Sequence, residues 1–173
     1  MRNTYPENIM EHSMQVACIA HALAVLGNKR FDRHYNVERA AVLALYHDVS
    51  EVITGDLPTP IKYINSEIHT AYKKLESDAG KKLLGLLPPD IQDEYLPLLT
   101  KNDEDELLWL LVKAADKLCA HIKSLEEMNA GNMEFKMAMA QTLDSVKSMH
   151  LPEADEFVLE FLPLFSCSLD ELK

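Results

Sequence analysis

The residues best suited to chemistry lie in one stretch, Tyr46-His47-Asp48-Val49-Ser50-Glu51, which runs on through Thr54-Gly55-Asp56-Leu57-Pro58-Thr59-Pro60. Leu43, Ala44 and Leu45 just before it are apolar, so His47 and Asp48 arrive where a core is expected. An imidazole and a carboxylate buried side by side are costly unless a partner compensates them, and a bound cation is the most economical partner. His47 and Glu51 are four residues apart, Asp48 and Glu51 three, so a continuing or tightened helix turns all three towards one cavity. Neighbours His47 and Asp48 diverge by about 100° and can approach one ion from adjacent directions. Glu51 is then placed to take a proton from an attacking water or to give one to a leaving oxygen.

Two residues elsewhere could complete such a site. His12 stands one turn before Val16, at the border of an apolar stripe. A lone histidine there is more often a hydrogen-bonded core residue than a ligand. Asp116 stands inside a long apolar helix, where a carboxylate is rare unless paired. Lys113 and Lys117 offer it an ordinary intrahelical ion pair, with metal ligation the alternative. Two imidazoles and two carboxylates suit one divalent ion in an octahedral site with open positions: manganese, cobalt, iron or zinc, with magnesium also on the oxygen-rich side. Cys18, Cys119 and Cys167 are not spaced for structural zinc. No Gly-rich loop suggests phosphate handling of the P-loop kind.

The elements that must position these residues are helical. Ile9, Val16, Ile19, Leu23 and Leu26 recur at helical spacing over residues 8–26, with Gly27 as the expected stop. Asn36 is the expected cap of a helix that delivers His47 and Asp48 at its C-terminal end. Pro58 and Pro60 predict a rigid loop rather than helix, either a substrate wall or a plain turn. Helices are expected over residues 66–87, capped by Ser66 and ended by Pro88-Pro89, and over 90–99. A long one from residues 102–106 to Gly131 carries Asp116, and two more span 133–149 and 153–165. Lys73, Lys74, Lys81 and Lys82 read as a solvated face. No alternating strand pattern and no repeat occur, so the expected fold is all-α, a helical bundle with long connections, in one domain over residues 1–173.

Composition narrows the function. A hydrophobic content of 47% with 26% charged is that of a globular protein. The net charge of −11 argues against a nucleic acid polymer as partner, which needs a basic face, but leaves a single nucleotide open. Three widely spaced cysteines form no disulfide framework and read as buried thiols in a reducing cytosol. The first residues carry no apolar signal core, and no apolar run approaches the roughly 18 residues of a membrane span. A cytoplasmic protein is expected.

The set His12, His47-Asp48 and Asp116 resembles the H…HD…D signature of HD-domain metal-dependent phosphohydrolases. Glu7-Asn8-Ile9-Met10-Glu11-His12-Ser13, the stretch from Tyr46 through Tyr63, Ala115-Asp116-Lys117-Leu118-Cys119-Ala120 and residues 125–132 are similar to the YfbR-type 5′-deoxynucleotidases. That resemblance covers essentially the whole chain. It implies an HD-domain fold and hydrolysis of deoxyribonucleoside 5′-monophosphates, with ribonucleotides discriminated against. It implies one divalent metal, cobalt or manganese being typical, held by His12, His47, Asp48 and Asp116, with His12, Asp48 and Asp116 also facing the substrate. It makes Glu51 the residue that activates, or relays through, the catalytic water. It lays Asp56, Leu57, Pro58 and Thr59 against the nucleotide, with Asp56 suited to the 3′-hydroxyl and the crowded 2′ side giving deoxy selectivity. A homodimer is implied too, and the apolar residues from Phe157 to Phe165 suit one. Members of that family carry an Arg-Trp pair that orients the phosphate, upstream of the segment matching Met1-Arg2-Asn3. This sequence starts after it, and no phosphate-orienting residue is carried over. The rival expectations are an HD enzyme acting on a triphosphate or cyclic nucleotide, and a non-catalytic nucleotide-binding HD protein.

Overall fold

A computed structural model of the chain describes all residues except Met1, Pro58, Tyr63, Leu169, Leu172 and Lys173, and describes Thr59 and Pro60 by backbone alone. The first helix, α1 (Ile9–Arg30), starts at a capping box. The Asn8 side chain accepts from the N–H of Met10 (3.0 Å) and Glu11 (3.1 Å), and Glu11 in return accepts from the N–H of Asn8 (3.1 Å). The box fixes the first turn of α1, and His12 lies in that turn. Further along, Val16, Ala20, Leu23 and Ala24 are wholly buried. By length and composition α1 could cross a membrane, but close to half of that stretch is buried inside the protein.

Gly27 does not stop this helix. It lies buried within α1, which runs on to Arg30, because a glycine is what lets the Tyr35 ring lie against the helix. A Cβ at residue 27 would fall 2.6 Å from Tyr35 Cε2 and 2.9 Å from Cδ2. The ring is not free to withdraw. Its hydroxyl donates to Glu153 (3.1 Å), and its backbone is clamped by Asn28 on both sides (2.7 and 2.9 Å). Gly27→Ala should therefore lower the thermal midpoint: overpacking of about 1–3 kcal/mol is set against a helix-propensity gain of at most about 1 kcal/mol. A midpoint at or above the parent's would show that Tyr35 gives way.

Helix α2 (Val37–Tyr46) is capped by Asn36, whose side chain accepts from the N–H of Arg39 (2.9 Å), as the sequence predicts. Ala40, Leu43 and Ala44 are wholly buried against α1, and the alanines let the two backbones approach. Helix α3 (Glu51–Thr54) follows after four residues of turn. Next comes one helical turn, α4 (Thr59–Lys62), where a proline loop was expected. Pro60 falls in the first turn of α4, where its missing N–H has no intrahelical partner to lose. Helix α5 (Ser66–Leu84) is capped by Asn65, which accepts from the N–H of Ile68 (2.8 Å), and not by Ser66. Helix α6 (Gln92–Leu99) pairs with α5. The four lysines of α5 are exposed, as expected of a solvated face.

The long helix α7 (Glu106–Asn129) crosses both α1 and α2. Its Leu111, Ala114, Ala115, Leu118 and Ile122 complete the core, each large aliphatic contributing about 1.5–3 kcal/mol by burial. Arg39 on α2 donates to Asp105 at 2.7 Å and ties the start of α7 in place. Beyond α7 lie α8 (Lys136–Lys147) and α9 (Pro152–Glu160). The two C-terminal helices are shorter than expected because 3₁₀ turns take up their ends, at Met133–Phe135 and at Leu162–Ser166. Among the described residues there is no strand, and the fold is all-α. Only Cys119 of the three thiols is buried; Cys18 and Cys167 are exposed, against the expectation of three buried thiols.

Candidate metal centre

The α1–α2–α7 layer brings four side chains of the sequence reading together. His12 comes from the first turn of α1, and His47 is the residue that ends α2. Asp48 follows in the turn, and Asp116 sits midway along α7. One potential ligand atom each of His12, His47 and Asp48 lies within 4.8 Å of the others. His47 Nε2 is 2.9 Å and His12 Nε2 3.7 Å from the same Asp48 oxygen. Asp116 joins through His12, its Oδ1 3.2 Å from His12 Nε2.

The tautomer of His47 is fixed by its surroundings. Its Nδ1 lies 2.7 Å from the Ala44 carbonyl, an oxygen that can only accept, so Nδ1 carries the proton. Nε2 is the nitrogen that faces the cluster, where Asp48 raises its affinity for a proton and makes it equally a place for a cation. It is fully buried and has no hydrogen bond, because the Asp48 oxygen is near but out of line. A buried imidazole with its outer nitrogen on a backbone carbonyl and its inner one unpartnered is the arrangement of a metal ligand. Nε2 of His47 and of His12, with the carboxylates of Asp48 and Asp116, fits a divalent cation.

The imidazoles and carboxylates of the cluster act on one another: against burial, which lowers both, Asp116 raises the pKa of His12 and Asp48 that of His47. Burial alone would raise the Asp48 carboxyl, yet His47, then His12 and Lys62, outweigh it and hold Asp48 below the ordinary carboxylate range. Glu51 differs. Burial raises its pKa, the negative charges of Asp48 and Asp56 add to that, and with Lys62 opposing it reaches about 7.

Asp116 is not the buried carboxylate expected: its side chain is 44% exposed. Its close partner is His12 on another helix, while Lys117 donates to Ser145 instead. Asp56 is exposed and Leu57 half-buried on the loop after Gly55. Gly55 adopts φ +70°, a conformation that favours glycine, and its carbonyl accepts from the Tyr72 hydroxyl at 3.0 Å. This bond pins the loop bearing Asp56 to α5. Pro58 and the Thr59 side chain lie outside the described residues.

The matching family model is that of the 5′-deoxynucleotidase YfbR-like proteins, and it spans residues 1–165. The chain belongs to this family. Among its YfbR-like relatives, a 5′-deoxynucleotidase of Photorhabdus temperata is 51% identical over 99% of this chain and 87% of its own length. One from Pectobacterium atrosepticum is 50% identical over 99% and 86%, and one from Vibrio vulnificus 49% identical over 99% and 89%. The fold is also that of an HD-domain phosphohydrolase from Listeria innocua, whose crystal structure aligns with a TM-score of 0.82 at 24% identity over 95% of this chain and 79% of that one. This YfbR-like chain therefore has the HD-domain fold.

Three neighbours of the centre escaped the sequence reading. Lys62 pairs with Glu76 at 2.7 Å and lies close enough to Glu51 and Asp48 to act on their charges. Tyr72 holds the Asp56 loop. Glu7 faces the outer nitrogen of His12, with 3.9 Å between its oxygen and Nδ1. Glu7 stands within the stretch that carried the family resemblance, but a single acid beside a helix start gives no signal of its own.

Proposed function

We propose that this protein is a metal-dependent 5′-deoxynucleotidase that hydrolyses deoxyribonucleoside 5′-monophosphates to deoxyribonucleoside and phosphate. Membership of the YfbR-like family and the relatives' activity support the reaction. The observation that carries the reading on this chain is the buried, unpartnered Nε2 of His47, beside Asp48 and within reach of His12 and Asp116. These four residues would hold one divalent ion, cobalt or manganese. When bound, such an ion polarises a phosphoryl oxygen and lowers the pKa of a water towards neutrality.

The rest falls to the chain's own groups. Glu51 holds and hands on the proton at its carboxylate, as its pKa near 7 suits. Asp56 accepts a hydrogen bond from the sugar 3′-hydroxyl, on a loop kept in place by Tyr72, and Leu57, Pro58 and Thr59 complete the contacts to the nucleotide. His12, Asp48 and Asp116 border the substrate as well as the ion. Close packing on the sugar's 2′ side disfavours ribonucleotides. The chain works as one HD domain in the cytoplasm, with no role for a membrane or a nucleic acid polymer. It forms a homodimer through the apolar face where Phe157, Phe161 and Phe165 cluster (ring centroids 5.3 and 6.5 Å apart) beside exposed Met10 and Met14.

The test is phosphate release from dAMP and AMP after chelation, with manganese or cobalt then restored. Metal-dependent release from dAMP, with AMP at least tenfold slower, is expected. Equal rates would sink the selectivity. Release of intact triphosphate from dATP would point to another HD activity, and nucleotide binding without turnover to a binding protein.

A further inference from the structure

Glu127 is wholly buried on α7 and takes no part in the reaction proposed above. Both of its oxygens are engaged by the chain that leads into α1. The N–H of Thr4 lies 2.9 and 2.8 Å from the two of them, and the N–H of Tyr5 donates at 3.2 Å. Asn132 donates at 2.9 Å, and the same amide nitrogen reaches the Arg2 carbonyl at 2.7 Å. Lys123, 3.4 Å from Glu127, donates to the Tyr5 carbonyl. Burial would push this carboxyl up, but the hydrogen bonds from Asn132, Thr4 and Tyr5 hold it at about 2, so it stays ionised.

Glu127 follows Asp116 by eleven residues on α7, which is about three turns, so the two lie on one face of the helix. Residues 4–12 run along that face, from Glu127, which holds Thr4, to Asp116, which meets His12. The path is fixed at both ends, by Glu127 at Thr4 and Tyr5 and by the capping box at Asn8. Glu7 lies between the two anchors, its carboxylate 3.9 Å from His12 Nδ1, just beyond hydrogen-bond length. The second imidazole thus has a carboxylate at its outer nitrogen, where His47 has the Ala44 carbonyl.

We propose that Glu127 is a positioning residue for the metal centre: it straps residues 2–5 to α7 and thereby sets Glu7 against the outer nitrogen of His12. Glu7 orients the ring and keeps Nε2 directed inward, and Glu127 acts only through that strap. This rests on His12 being a metal ligand. Outer partners of ligating histidines weaken metal affinity by about 10–100-fold when removed.

The experiment titrates cobalt into the metal-free protein and reads its visible absorption, for the parent, Glu7→Ala, Glu127→Gln and the double variant. Glu7→Ala and Glu127→Gln should each weaken cobalt binding by about 10–100-fold. The double variant should be no weaker than the worse single one, because both act through one contact. Should Glu127→Gln fail to fold, Asn132→Ala takes its place in the same cycle. Parent-like cobalt affinity in either single variant, or losses that add in the double, would overturn the proposal even if thermal stability fell. A parent chain that binds no cobalt would sink the metal reading itself, and this proposal with it.

Discussion

Glu51→Gln should reduce phosphate release from a deoxynucleotide by about 10²–10⁴-fold, the range supplied by a positioned acid or base, while leaving metal binding intact. The argument is one of proton affinity. An exposed glutamate near pH 7 is a poor proton acceptor and an almost absent donor. Here burial, with Asp48 and Asp56 nearby, brings the carboxyl to about 7, where both states are accessible. A cation beside Asp48 would offset part of that repulsion and draw the value down, which favours the base role at the moment of attack. Glutamine keeps the size and the hydrogen-bonding reach but cannot move the proton. Because it also removes a negative charge from a crowded acidic corner, the variant should fold at least as well as the parent. Lost turnover would then report chemistry. A Gln variant with normal metal affinity and more than a tenth of the parent rate would remove Glu51 from the reaction.

Much of this centre could be read from the chain because its signals are local. His47 and Asp48 end a helix whose apolar residues announce burial, and Glu51 follows within one turn. Asn36 caps α2 as its chemistry dictates. Where the sequence misleads, the deciding contact mostly lies far away along the chain. Gly27 carries the composition of a helix stop, but its role is set by the Tyr35 ring packed on it, itself tethered to Glu153. For Asp116 the sequence offers an intrahelical lysine or a metal, whereas its close partner within the protein is His12, 104 residues away. Glu127 carries no local signal, because the groups on its oxygens, the N–H of Thr4 and of Tyr5, lie 123 and 122 residues away. Pro58 and Pro60 argued for irregular backbone, yet a proline in a helix's first turn loses nothing, so α4 forms.

Asp48→Asn should remove both metal binding and activity, with turnover falling by about 10³-fold or more, since the bound ion supplies several kcal/mol of charge stabilisation. Asp48 is the carboxylate common to both imidazoles, its oxygen 2.9 Å from His47 Nε2 and 3.7 Å from His12 Nε2. Asparagine preserves its shape but withdraws the charge on which the attraction to a cation depends. The His47 side chain, 9% exposed, cannot turn to water to recover a partner. The loss should be visible without turnover. A ligand that binds only the folded state stabilises it by about 2.7 kcal/mol at a hundred times its dissociation constant, so manganese should raise the parent's unfolding midpoint and leave that of Asp48→Asn unmoved. Asp116→Asn should lie between the two, because Asp116 reaches the centre from outside the tight His12–His47–Asp48 group and its side chain is far more open to water. If manganese raised the midpoint of Asp48→Asn as much as the parent's, the ion would be bound elsewhere, and the His12–His47–Asp48 cluster would be an ordinary buried hydrogen-bonding group.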